Sequence, residues 1–120
     1  MKQSDKELIG YWLRRYLTKY LPVVRNLSRN TITSYRDALR QLLEYVTENG
    51  LSPDKLRVEE ITSELVASFL LNLERAKNCS IQTRNHRLSA IHSFANYIST
   101  SEPQYLFWYT KLKNIPIKRF

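Results

Sequence analysis

The chain has 120 residues, is 42% hydrophobic, and carries a net charge of +8 with a pI near 9.8. That length suits one domain with a real core rather than two, and the apolar content with eight tyrosines argues against disorder. A single cysteine, Cys79, excludes an internal disulfide framework and a cysteine-based metal cluster, and no cofactor is expected. No apolar run approaches the ~18 residues of a membrane span, and "MKQSDKELIGYWLRRYL" lacks a continuous signal-peptide core. The expectation is a soluble, cytoplasmic protein.

Only two glycines occur, no alternating strand-like run is present, and helical periodicity dominates, so an all-α fold is expected. The first helix is predicted over about Asp5 to Tyr20, with Leu8, Trp12, Leu13, Tyr16 and Tyr20 on one face, and Pro22 ends it. After "PVVRNLS" a second helix opens behind Ser28 or Asn30, either of which can cap it. It runs through "TITSYRDALRQLLEYVTEN" to Gly50 at the C′ position. Ile32, Tyr35, Leu39, Leu42, Leu43 and Val46 share its apolar face. "LSPDKLRVEEIT" reads as a loop with one short turn near Pro53. Thr62 caps a third helix, "SELVASFLLNLERA", striped by Leu65, Phe69, Leu70 and Leu73. "KNCS", with a free thiol at the loop–helix junction, leads to a fourth helix capped by Ser80. Its stripe is Ile81, Leu88, Ile91, Ala95 and Ile98. "EPQYLFWYTKLK" gives a short last helix whose aromatics Tyr105, Phe107, Trp108 and Tyr109 are expected to pack, and "NIPIKRF" ends as basic strand or coil.

The charge is unevenly spread. Residues 1–43 hold nine Lys/Arg against three acids, residues 44–64 hold six acids against two bases, and residues 77–120 hold seven bases against Glu102. A basic protein with one acidic segment suggests one side facing a polyanion and another turned away, with an ordinary basic surface as the alternative. On a helical wheel Arg29, Thr33, Arg36 and Arg40 fall on one flank of the second helix, either as phosphate clamps or as a solvated face. The first turns of the fourth helix carry Gln82, Thr83, Arg84, Asn85, His86 and Arg87, side-chain types that read base edges or grip phosphates. Arg84 lies on the line of the apolar stripe, and no acid occurs from Lys77 to Ser101. Two readings remain: the helix start projects beyond the core toward DNA, or its arginines pair with acids of the third helix.

Other chemistry finds no support. His86 and His92 are not at metal-ligand spacing with a third donor, neither is followed by arginine at the third position, and the two glycines, Gly10 and Gly50, are isolated.

"LSRNTITSYRDALRQLLEYV", "ITSELVASFLLNL" and "SIQTRNHRLSAIHSFANYI" in that order resemble the core-binding domain of the tyrosine recombinases, the phage-integrase family. Ser28, Thr31 and Tyr35 open the second helix, Ile61-Thr62 the third, and Thr83 with "RLSAIHSF" marks the fourth, covering roughly residues 8–118. The resemblance implies a SAM-like bundle of four main helices plus a short C-terminal helix, about residues 8–110 of a single domain over 1–120. Residues 111–120 would start a linker to a catalytic domain. It implies double-stranded DNA and other recombinase protomers as partners, and a role in DNA integration or recombination by a mobile element, associated with the nucleoid when bound. No membrane and no small-molecule substrate is expected. Arg29, Thr33, Arg36 and Arg40 would clamp phosphates, Thr83, Arg84, Asn85 and Arg87 would read or clamp the groove, and Lys111, Lys113, Lys118 and Arg119 would add charge near the linker. The family's catalytic arginine, lysine, His-x-x-Arg and tyrosine context is missing here, which implies no catalysis by these residues alone. The alternatives are a stand-alone helical DNA- or RNA-binding regulator and a helical protein-interaction module.

Overall fold

The first helix does not end at its proline. In the computed structural model, which describes residues 5–119, α1 (Ile9–Arg15) passes directly into a π-helical stretch, Tyr16–Val24, that contains Pro22. A proline ring in an α-helix collides with the carbonyl four residues back and offers no N–H. The wider π turn shifts bonding to five residues, as in the Arg25 N–H donating to the Tyr20 carbonyl at 2.8 Å. The helical path therefore ends at Val24 rather than Tyr20. The same shift moves burial: Leu21, five residues after the buried Tyr16, is fully enclosed, and Tyr20 stays at the margin.

The chain divides into two units, Met1–Glu60 and Ile61–Phe120. In the first, α2 (Arg29–Glu48) starts at Ser28, whose hydroxyl accepts from the Thr31 N–H at 3.2 Å. It ends as the composition suggests. Gly50 takes φ +90°, its N–H donates to the Thr47 carbonyl, and the Leu51 N–H donates to Val46, a Schellman closure that only a residue free of Cβ enters without strain. Ala38, Leu39, Leu42 and Val46 form the buried stripe of α2. The predicted loop is more ordered than one turn: it holds two 3₁₀ turns, Pro53–Lys55 and Val58–Glu60, and buries Leu56 and Val58. The Ile9 N–H donates to the Leu56 carbonyl at 2.9 Å, which fastens the start of α1 to this segment.

The second unit is built on α3 (Ser63–Arg75), α4 (Ile81–Ser101) and α5 (Leu106–Lys113). The Thr62 hydroxyl accepts from Leu65 N–H and the Ser80 hydroxyl from Thr83 N–H, each at 3.1 Å, so both caps stand where the sequence places them. Asn78 adopts the left-handed conformation (φ +54°), which asparagine tolerates, and turns the chain between α3 and α4. The half-buried Cys79 thiol is unpaired. Helix α4 packs against both α3 and α5. Trp108 donates its indole N–H to the Ile61 carbonyl at 2.8 Å, satisfying a polar atom inside the core. Tyr105, in the turn just before α5, and Trp108 and Leu112 on it face inward, which leaves Phe107 on the outer side, 73% exposed, against the expectation that it packs. Residues 116–119 follow without regular structure. Among the described residues there is no strand, only the isolated Leu8–Arg57 bridge. Nor is any helix among them long and apolar enough to cross a membrane.

Candidate nucleic-acid interface

In the first unit, spacings of four, three and four residues put Arg29, Thr33, Arg36 and Arg40 along one flank of α2, a strip of about 16 Å at the helical rise. Arg29 and Arg36 are exposed and, among the described residues, have no ion-pair partner. Arg40 is different: its guanidinium lies 3.3 Å from Asp37 and 3.8 Å from Glu44, all three solvated. Exposed pairs of this kind contribute about 0–1 kcal/mol and yield easily to another anion. Thr33 is half-buried beside them. Arg29 is the first residue of a helix whose opening turn has no acid, so its charge adds to the positive helix end.

In the second unit the first turns of α4 depart from the projecting arrangement. Arg84 is 6% exposed and stands in line with buried Leu88, Ile91, Ala95 and Ile98. Its Nη1 donates to the Pro116 carbonyl and to Asn85 Oδ1, both at 2.9 Å, and its Nε lies 4.0 Å from Glu74 of α3. The expectation that Arg84 reaches outward is therefore corrected: the guanidinium turns inward because carbonyl and carboxylate oxygens there replace water. Asn85 is likewise engaged. Its Nδ2 donates to the Lys118 carbonyl at 2.8 Å and its Oδ1 accepts from the Lys118 N–H at 3.0 Å. The Thr83 hydroxyl accepts from Ser80 at 3.1 Å as part of the cap.

Arg87 stays at the margin and donates to His86 Nδ1 at 2.9 Å. Burial, then the Arg87 charge, lowers the His86 pKa, so a neutral ring with Nδ1 as acceptor matches the contact. Lys111 and Lys113 are exposed on α5, with their ammonium groups 4.7 and 6.0 Å from the ring centres of Phe107 and Tyr109. Lys118 is not free charge near a linker. Its Nζ lies 2.9 Å from both oxygens of Glu74.

Glu74 is one of the third-helix acids that the second reading allows as a partner for these arginines, and the residue that sequence reasoning missed is Pro116. Glu74 lies ten positions before Arg84, just outside the acid-free stretch, and its helical register was the available signal. Nothing local marks a carbonyl thirty-two residues downstream as Arg84's partner.

Residues 13–100 match the family described as phage integrase, N-terminal SAM-like domain. The chain belongs to that family. Two relatives from Sinorhizobium fredii (strain NBRC 101917 / NGR234) bear integrase/recombinase as a provisional name. They are 37% identical over 117 residues, which is 97% of this chain and 42% of the relative, and 38% identical over 109 residues, which is 90% of this chain and 33% of the relative. The SAM-like chain thus spans less than half the length of either. No solved structure gives a significant match.

Proposed function

We propose that this integrase SAM-like domain, residues 1–120 as one core-binding unit, grips duplex DNA beside the site of recombination. The bond-breaking chemistry would be carried by a catalytic segment outside these residues. The observation that supports this reading best is the α2 strip: two exposed guanidiniums, Arg29 and Arg36, spaced along one flank with no acid paired to them among the described residues. They serve as phosphate clamps, with Thr33 between them and Arg40 joining once it exchanges its carboxylates for phosphate. Lys111, Lys113 and Arg87 add cations in the second unit. Thr83, Arg84 and Asn85 hold the fold, and their effect on DNA is indirect. The domain acts at the nucleoid, alongside other protomers of its recombinase.

A duplex titration followed by fluorescence anisotropy at several salt concentrations tests it. With three to five cations on phosphates, log K should fall against log salt with a slope of about −2.7 to −4.5. Arg36→Gln should make that slope shallower by about 1. A slope near zero overturns the reading.

A further inference from the structure

The start of α4 is occupied by the chain's own C-terminal segment. We infer that Arg84, Asn85 and Glu74 form a polar latch that holds residues 116–118 against α4 and so fixes the direction in which the chain leaves α5.

The segment has little else to hold it. Pro116 has no N–H to give, and Ile117 is 56% exposed, so the segment does not adhere by burying its apolar side chains. What it has is a set of directed bonds. Asn85 pairs through its amide with both the N–H and the carbonyl of Lys118, as a neighbouring strand would. Arg84 takes the Pro116 carbonyl, and Glu74 takes the Lys118 ammonium. The geometry of Arg84 is set by the segment rather than by the acid. Its Nε, buried and without a hydrogen-bond partner, sits 4.0 Å from Glu74, whereas Nη1 is at 2.9 Å from Pro116. An arginine placed only to neutralise Glu74 would approach it more closely than that.

These bonds are few and lie at the edge of the unit, so the segment can open without unfolding the helices, as low-stability regions do. Asn85 and Arg84 are positioning residues: they aim Lys118, Arg119 and any chain beyond them.

Amide hydrogen exchange on the intact chain tests this. In the wild type the Lys118 N–H should exchange at least ~10-fold more slowly than an unstructured amide. Asn85→Ala should bring it to the unstructured rate while the Leu88 and Ile98 amides keep their protection. Asn85→Asp retains an acceptor for that N–H and loses the donor, so it should preserve most of the protection. An unprotected Lys118 amide in the wild type overturns the latch by itself, even if the alanine variant does not fold. Unchanged protection in a folded Asn85→Ala variant does the same.

Discussion

Replacing Arg84 by alanine separates a structural arginine from a ligand-facing one. The substitution removes two charge-assisted hydrogen bonds, to Pro116 and Asn85, each at 2.9 Å. Bonds of this kind contribute about 1.5–3 kcal/mol apiece. It also removes two buried methylenes, at about 0.8 kcal/mol each. Against this, the unbonded Nε no longer has to be buried, which returns about 1–3 kcal/mol. Truncating one member of a buried pair often costs about 3–5 kcal/mol because the other charge is stranded. Here Glu74 keeps Lys118 at 2.9 Å, so the loss should fall lower. The expected net destabilisation is about 2–4 kcal/mol, a drop in Tm of about 6–16 °C for a domain of this size. Arg87→Ala, at a half-exposed position, should stay within about 1 kcal/mol of the wild type. Arg84→Met restores the apolar stem but not the bonds, and should recover only the methylene share. Urea and thermal melts of the three variants decide the matter. An Arg84→Ala protein that melts within about 0.5 kcal/mol of the wild type would refute the buried assignment.

Gly50→Ala should destabilise by about 1–2 kcal/mol, because φ is +90° there while the added Cβ meets nothing within 4 Å; a urea midpoint equal to that of the wild type would contradict a purely backbone cost. His92 has its pKa lowered mainly by burial, with Arg84 and Lys113 adding to the effect and the bond to the Leu112 carbonyl opposing it. Its stabilising contribution is complete above the unfolded imidazole value near 6.5 and is lost as pH falls through the lower folded value, because the unfolded chain takes up the proton first. His92→Gln should therefore flatten the fall in stability between about pH 7 and pH 5 relative to the wild type, and an unchanged slope would exclude that role.

Much of the fold was legible because it depends on short-range rules. Ser28, Thr62 and Ser80 cap helices whose first-turn N–H groups they face, and Gly50 closes α2, each readable within a few residues. The stripes of α3 and α4 follow the helical period from Phe69 and Leu88 onward, whereas Leu65 and Ile81 are only half-buried and Val66 takes the inner position in α3. Pro22 misled because its rule concerns α-helices, and a π turn escapes it. Leu56 and Val58 misled because a five-residue stretch with two buried apolar side chains looks, without its partners, like any charged loop.

The candidate site divides along the same line. The α2 strip needs only the spacing of Arg29, Thr33, Arg36 and Arg40 on one helix, so its geometry is present in the sequence. Arg84 has the same local signature as a ligand-reading arginine: a helix start, neighbouring Asn and Thr, no acid nearby in the chain. Its register on the apolar stripe already distinguished it. A cation on that line must either carry its helix end out of the core or find oxygens inside. What selects the second outcome is the placement of Glu74 on α3 and of the Pro116 carbonyl beyond α5, contacts ten and thirty-two residues away in sequence. Burial in line with Leu88 and Ile91 is therefore the stronger clue in a case like Arg84, and residue type the weaker one.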